Sequence, residues 1–298
     1  MKKILGMMLS LALVAVPLKS VAEPILQRIE RTGTIRTGAW KDAKPFGYVN
    51  EKGEWVGYSI DIMRVIQSQV ETALDKPIKL ELVEVDTQNF LDHIRDRKVD
   101  ISCGPTSFTW NRERYIDFSI SYFVTGTQVL VKKGVTIDSV EELKTKRIGV
   151  EANTTNEAVL KTLAPDLQVI VVNSRSDGFA KLQQGVIDGY AGDGILLEAL
   201  KNSAPNPEEW DIIPNDELVH LEAYACVLPQ DDSHWRDLVN YSILRVIQGY
   251  IIEDPEFSKM FAGWFGEQGV SPYPEAILQP RFRTSKSSIK YYKPGVNN

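Results

Sequence analysis

The sequence predicts an α/β protein with two similar lobes on either side of a cleft. Strand-like and helix-like segments alternate along most of the chain, which is typical of a mostly parallel sheet covered by helices. The alternation restarts after Lys132-Lys133-Gly134. On each side of this point, in 90–100 and 179–188, a helix that begins at a phenylalanine precedes a strand with an early aspartate. Because short units of this kind also resemble one another by chance, the likeness alone is weak support for two lobes.

The first half contains four strand-like runs and two helical patterns. Strands are predicted at 34–38, 55–57, 78–85 and 99–103, and helices at 59–74 and 88–97. In the longer helix, apolar residues such as Ile60, Met63 and Ile66 recur at helical spacing behind Ser59, which is a typical capping residue.

The second half repeats the pattern and then becomes helical. Strands are predicted at 147–151, 168–172, 186–191 and 224–228, and helices at 139–143, 155–163, 177–184, 235–250 and 255–265. The tail from Pro272 is rich in proline, lysine and serine, which predicts an irregular surface extension.

The first 22 residues have the pattern of a cleaved secretory signal. A basic start (Met1-Lys2-Lys3) precedes an apolar stretch at 4–18 and the small residues of Ser20-Val21-Ala22. An uncleaved membrane anchor is the alternative, but fifteen residues that include Ser10 and Pro17 are short for a bilayer span. We therefore expect a soluble, exported protein.

The charge balance excludes several classes of partner. Without Lys2, Lys3 and Lys19 the chain has 31 basic against 40 acidic side chains, which argues against binding to nucleic acid or anionic membranes. The three histidines are scattered without the spacing of metal ligands, so neither a metal site nor a cofactor is predicted.

Residues 99–123 form the most informative segment for function. A short apolar strand runs into Gly104-Pro105, followed by hydroxyl residues that include Thr106 and Ser107, and then by Arg112. In open α/β sheets small ligands bind beyond the carboxyl ends of strands. The planar guanidinium of arginine matches a carboxylate. An ordinary loop with a surface arginine is the alternative.

The chain has two cysteines, Cys103 and Cys226, and both lie in apolar, strand-like runs. In an oxidising compartment such a pair often forms a disulfide. Two small buried apolar side chains are the alternative, and neither cysteine has the surroundings of a reactive thiol.

Taken in order, these segments resemble the family 3 solute-binding proteins of polar amino acid ABC transporters, which are type II periplasmic binding proteins. The resemblance covers nearly the whole mature chain. It lies in Gly57-Tyr58 through Asp61, Gly104 through Ser119, 149–157, 185–193 and 259–265. The chain is most similar to the glutamate/aspartate-binding subgroup, through Cys103-Gly104, 123–127, 132–134 and 222–226.

The resemblance implies an α/β fold of two lobes joined by two crossover strands that act as a hinge. Lobe 1 would comprise 23–122 and 226–298, lobe 2 would comprise 127–221, and the crossovers would lie at 123–126 and 222–225. A monomeric periplasmic protein would capture a free amino acid between the lobes and deliver it to the membrane permease of an ABC importer.

The resemblance also assigns candidate roles to residues. Arg112 would bind the α-carboxylate of the ligand with help from backbone N–H groups near Ser107, and Thr155 would add a contact at a helix start. A plain helix cap is the alternative for Thr155, and both roles are compatible. Asp193 would bind the ammonium group, together with the Gly104 carbonyl and the Ser107 hydroxyl. A turn residue is the alternative for Asp193.

Further candidates concern the side chain of the ligand. Tyr58 stands where the family stacks an aromatic ring on the ligand, although a core tyrosine is the alternative. Trp40 and Phe90 stand about where the acidic-ligand subgroup places an arginine. Arg175 is expected near the same pocket, as a substitute cation or as a solvated loop residue. Thr87 completes the candidate set.

These departures predict that glutamate and aspartate are not the preferred ligands. With aromatic residues at Trp40 and Phe90, a second buried carboxylate would lack its cations. A neutral polar, aromatic or broad set of amino acids fits better.

Two other functions are compatible with the same scaffold. Some relatives are exported dehydratases of prephenate or arogenate, but the candidate acids here, Asp193 and Glu151, are better explained as a ligand partner and a strand-end residue. A receptor that presents its ligand to a sensor is the other possibility.

Overall fold

The computed structural model describes residues 22–214 and 220–272. The predicted signal peptide and most of the predicted tail therefore lie outside the described residues. The helices are α1 (Ile25–Thr32), α2 (Tyr58–Leu74), α3 (Phe90–Arg95), α4 (Trp110–Glu113), α5 (Val140–Leu143), α6 (Thr155–Leu163), α7 (Arg175–Gln183), α8 (Gly194–Asn202), α9 (Ser233–Ile251) and α10 (Pro255–Phe265). The strands are β1 (Thr34–Trp40), β2 (Asp42–Ala43), β3 (Gly47–Val49), β4 (Trp55–Val56), β5 (Lys79–Val85), β6 (Ile101–Ser102), β7 (Asp117–Lys132), β8 (Ile148–Glu151), β9 (Val169–Val172), β10 (Gly189–Asp193), β11 (Trp210–Ile213) and β12 (Leu221–Leu228).

Two groups of parallel strands form the two lobes. In the first lobe β1 lies between β5 and β6 and is parallel to both. In the second lobe β8 lies between β9 and β10, again parallel to both. The mixed α/β architecture is the one that the sequence predicts.

Two antiparallel strands, β7 and β12, connect the lobes. The long strand β7 pairs with β12 as far as Gly126 and with β10 from Thr127 onwards. The predicted crossovers fall within these two strands, and the exact residue limits of the lobes stay a prediction. One uninterrupted strand therefore belongs to both lobes and connects them.

Apolar packing holds each lobe around its own sheet. In the first lobe α2 and α9 pack against each other, with side chains such as Ile62, Val70 and Ile243 buried. This cluster also includes Leu196 of α8, which ties the second lobe to it. In the second lobe α6 and α7 pack against β8 and β10. The sheets are therefore rigid supports for the loops at their edges.

Several boundaries differ from those predicted, and one difference matters for the site. Helix α7 begins at Arg175, two residues before the predicted start, because the Ser174 side chain caps it by accepting a hydrogen bond from the Asp177 N–H. The predicted strand 99–103 shortens to β6, and the helices α1, α4 and α8 were not predicted at all.

The predicted disulfide is present. Cys103 and Cys226 are joined with an S–S distance of 2.07 Å. The bond links the end of β6 to β12, and both residues are buried. Within the described ranges, every helix is too short or too polar to cross a membrane.

Candidate ligand-binding cleft

A cleft with an empty volume of about 580 Å³ lies between the two lobes. It sits where strands end: Trp40 is the last residue of β1, Glu151 of β8 and Asp193 of β10. Eight of the ten predicted ligand-binding residues line it, namely Trp40, Thr87, Phe90, Ser107, Arg112, Thr155, Arg175 and Asp193. The two others, Gly104 and Tyr58, belong to the described residues but not to the lining.

Arg112 faces the cleft from the short helix α4, which the Thr109 side chain caps. Its Nη1 donates to the Ser107 carbonyl oxygen at 2.9 Å, and its Nη2 reaches the Asn153 carbonyl oxygen of the second lobe at 3.4 Å. Burial lowers the pKa of Arg112, and Glu222 and Asp193 partly oppose that effect. Both of these acceptors are neutral, and among the described residues Arg112 forms no ion pair with a carboxylate.

Asp193 faces the cleft from the second lobe and is only 6% exposed. It accepts hydrogen bonds from the Asn156 amide at 3.2 Å and from the Tyr224 hydroxyl at 2.5 Å. Burial raises its pKa to about 6, and the nearby Glu222 adds to that effect. Asp193 is the buried last residue of β10, so it is not the turn residue of the alternative interpretation.

The start of helix α6 forms the adjacent wall. Asn153, Thr154, Thr155 and Asn156 all line the cleft. The helix cap is Thr154, whose side chain accepts from the Glu157 N–H, and Thr155 is the first helical residue. The alternative that Thr155 is a plain cap is therefore wrong. Its hydroxyl instead lies close enough to Glu222 to lower the pKa of that carboxyl group.

The predicted role of the Gly104 carbonyl is wrong. This oxygen accepts a hydrogen bond from the Thr106 N–H at 2.7 Å and another from the Tyr122 hydroxyl. Because a carbonyl oxygen has two lone pairs, both are already used inside the first lobe. Gly104 has a different function, since a Cβ atom at this position would lie 2.2 Å from Nε1 of Trp40. The missing side chain is what lets the indole ring lie in the cleft.

The predicted stacking role of Tyr58 is also wrong. Tyr58 is the first residue of α2, and its ring is buried among the core aromatic residues Phe46, Tyr122, Phe261 and Phe265. The alternative of a core tyrosine therefore holds. Gly57, the residue before α2, has φ 144°, a conformation that residues with side chains rarely adopt.

Trp40 and Phe90 form an aromatic pair with ring centroids 5.4 Å apart. The guanidinium of Arg112 lies 5.5 Å from the Phe90 centroid, and that of Arg175 lies 5.7 Å from the Trp40 centroid. These distances allow cation–π attraction. One arginine from each lobe therefore flanks the pair.

Arg175 is buried at 6% exposure, so the alternative of a solvated loop residue is wrong. Its Nη1 donates to Asp42 Oδ1 of the first lobe at 2.9 Å, and its Nε lies 3.7 Å from Glu151 Oε2. Burial lowers the pKa of Arg175, but Glu151 and Asp42 outweigh that effect and the net shift is upward. Two carboxylates thus share its single charge.

Several residues of the site were not predicted as ligand-binding residues, among them Glu151, Glu222 and Tyr224. Glu151 could have been found by its position at the end of a strand next to Asp193. Glu222 and Tyr224 lie on β12 and could not have been found from the sequence, because only the tertiary fold brings that strand beneath the cleft. Glu222 is 2% exposed, and burial raises its pKa while the Ser107 and Thr155 hydroxyls and Arg112 oppose that effect.

Some buried polar atoms in this region lack a hydrogen-bond partner within the described parts of the chain. Those of cleft-lining residues are Trp40 Nε1, Thr106 Oγ1 and Asn156 Oδ1, and Glu222 Oε1 lies beneath them. Unpaired buried polar groups are costly, so the cleft is suited to a polar ligand. In the described residues, no three His, Cys, Asp or Glu side chains are grouped to hold a metal ion.

Comparisons with known proteins agree with this architecture. The chain is 29% identical over 273 residues to the "Glutamate/aspartate import solute-binding protein" of Escherichia coli (strain K12), covering 90% of this chain and 87% of the relative. It is similar to the structure of "An ancestral arginine-binding protein bound to glutamine", with a TM-score of 0.68 at 27% identity, covering 79% of this chain and 99% of that one.

A third match concerns the fold alone. The structure of an ancestral amino acid-binding protein, described as a precursor of cyclohexadienyl dehydratase, has a TM-score of 0.68 at 21% identity and covers 81% of this chain and 99% of that one. The sequence model of the bacterial extracellular solute-binding proteins, family 3, matches residues 35–267. The resemblance inferred from the sequence is thereby confirmed: the chain belongs to the bacterial extracellular solute-binding proteins, family 3.

Proposed function

We propose that this protein binds a free amino acid in the cleft and delivers it to the permease of an ABC importer. One observation carries the proposal: the partly buried cation Arg112 and the buried carboxylate Asp193 come from opposite lobes and line the same cleft, and in the described chain neither forms an ion pair. A free amino acid carries both complementary charges on one small molecule. Burying it requires a partner for each.

The remaining head-group contacts follow from this placement. Arg112 binds the α-carboxylate with backbone N–H groups near Ser107 and at the start of α6, where Thr155 stands. Asp193 binds the ammonium group with the Ser107 hydroxyl. Because these groups come from both lobes, a ligand bound to one lobe gains its remaining contacts only when the lobes close.

The second part of the proposal concerns the ligand's side chain, which contacts Trp40, Phe90, Thr87 and Arg175. The guanidinium of Arg175 lies 5.7 Å from the Trp40 ring centroid, and Asp42 and Glu151 already neutralise its charge. Glutamate and aspartate are therefore not the preferred ligands, although the relative in Escherichia coli is named for them.

Binding is proposed here in preference to catalysis. The acids of the cleft, Asp193 and Glu151, are held by hydrogen bonds or beside Arg175, and none of the described lining residues is a histidine. We expect an exported monomer without enzymatic activity. A spectrophotometric assay with prephenate and arogenate should detect no turnover, and turnover that depends on Glu151 would favour the dehydratase instead.

The direct test is isothermal titration of refolded, ligand-free mature protein against the twenty amino acids. We expect micromolar or tighter binding of at least one neutral or polar amino acid, and its loss in Arg112→Met. Absence of binding by all twenty would contradict the proposal. If glutamate binds with micromolar affinity and no neutral amino acid binds, the proposed ligand specificity is contradicted.

A further inference from the structure

We propose that the cleft accepts a ligand side chain with N–H donors, a carboxamide or a cation, and that Glu151 selects it. This inference rests on the proposed function, because it assumes that an amino acid occupies the cleft. It narrows the ligand from any neutral or polar amino acid to those with nitrogen at the end of the side chain.

The position of Glu151 is the first observation. It is the last residue of β8, which is parallel to β10, the strand that ends at Asp193. The two carboxylates therefore lie on the same wall of the second lobe, at neighbouring strand ends. If Asp193 binds the ammonium group, Glu151 faces the next part of the ligand.

The surroundings of Glu151 are the second observation. Its side chain is buried within the cleft lining, and its nearest cation, Nε of Arg175, is 3.7 Å away, which is longer than a hydrogen bond. The Tyr190 hydroxyl is its other polar neighbour. Burial raises its pKa, Arg175 opposes that effect, and Asp42 and Asp193 add to it. The carboxylate thus has room for a close donor.

The local balance of charges is the third observation. Arg175 is shared between Glu151 and Asp42, so this corner has two carboxylates for one guanidinium. Asn156 adds an oxygen atom, Oδ1, that has no donor within the described residues. Acceptors are in excess on this wall. A side-chain carboxylate would add a like charge, whereas an amide or a cation would supply the missing donors.

Trp40 provides a complementary group on the opposite wall. Its buried Nε1–H has no acceptor in the described chain. A carboxamide has a carbonyl oxygen for such a donor and an NH₂ group for Glu151, which makes it the side chain that satisfies both walls.

The test compares ligands of equal shape by isothermal titration of the ligand-free mature protein. Glutamine and glutamate differ only in the terminal amide, and arginine and citrulline differ in charge but both carry donors. We expect glutamine to bind at least about tenfold more tightly than glutamate, because a like-charge contact and an unpaired acceptor each weaken binding.

The variant Glu151→Gln keeps the shape and removes the charge. We expect the glutamine-to-glutamate preference to fall to within about threefold in this variant. Glu208→Gln is the matched control, since it removes an exposed carboxylate from the same lobe, and its preference should equal that of the wild type.

Each outcome separates the inference from the proposed function. Glutamate binding more tightly than both glutamine and arginine would overturn the inference and leave amino acid binding intact. An unchanged preference in Glu151→Gln would overturn the role of Glu151. Absence of binding by any amino acid would overturn both proposals.

Discussion

The two arginines of the cleft, Arg112 and Arg175, each face an aromatic ring, but they differ in their partners. Arg112 donates to two carbonyl oxygens. Arg175 lies against two carboxylates, those of Asp42 and Glu151. The pKa shifts follow this difference: burial lowers that of Arg112, whereas the carboxylates raise that of Arg175.

The comparison shows that the partners of a buried cation, more than its presence, decide which ligand it can bind. A guanidinium bound to neutral oxygens can still attract an anion, while one that is already paired contributes little further attraction. The sequence contains both arginines but not this distinction, which depends on residues far from each in the chain.

The largest expected effect is the loss of Arg112. Arg112→Met should weaken binding of the preferred amino acid by about 100-fold or more, because a buried carboxylate left without its cation costs about 3–5 kcal/mol. Arg175→Met is the matched comparison and should weaken binding of a neutral ligand by about tenfold or less. Titration calorimetry measures the affinity of both variants. A larger loss in Arg175→Met than in Arg112→Met would contradict the distinction between the two arginines.

The second prediction concerns Asp193, the buried carboxylate that lines the cleft from the lobe opposite Arg112, and it depends on pH. Its pKa is about 6 in the folded protein, above its ordinary value, so the fold favours the protonated form. In the ligand-free protein, ionisation of Asp193 therefore lowers the free energy of unfolding. This loss of stability grows as pH rises from about 4 to about 6 and is constant above that.

Asp193→Asn removes this destabilising charge and also removes the carboxylate that binds the ammonium group of the ligand. At about pH 8 the ligand-free variant should melt a few degrees higher than the wild type, whereas at about pH 4 the two should melt together. Its amino acid affinity at pH 8 should fall by about 100-fold. Equal melting temperatures at pH 8 would show that the charge of Asp193 does not destabilise the folded protein.

The smallest effect is expected at Asp42, the partner of Arg175 across the cleft. Its side chain is 41% exposed, and exposed ion pairs contribute little. Asp42→Asn should therefore weaken binding by about threefold or less, and the difference should vanish in about 0.5 M salt. A larger, salt-independent loss would mean that this pair holds the lobes closed.

The sequence predicts those parts of the fold and site that depend on local patterns. The strands that lead to Trp40 and Asp193 were predicted at 34–38 and 186–191, although each extends two residues further. The start of α7 was predicted two residues too late, although Ser174 precedes Asp177 by three residues in a pattern typical of a helix cap.

The remaining features depend on tertiary contacts. The burial of Tyr58 depends on aromatic residues far away in the chain, such as Phe261 and Phe265. The loss of the Gly104 carbonyl as a ligand follows from the distant Tyr122 hydroxyl. The role of Glu222 depends on β12 passing beneath both lobes. Spacing along the chain does not encode any of these contacts.

The close approach of Trp40 to Gly104 has a consequence for how ligand preference evolves in this lineage. A Cβ atom at position 104 would lie 2.2 Å from the indole nitrogen, so a larger residue there requires the Trp40 ring to move or to be replaced by a smaller side chain. For the ring in its present position, the glycine must be in place before the tryptophan is acquired, and it is free to vary only after the tryptophan is lost. Substitutions at the two positions are therefore coupled, and the order in which they can occur is constrained.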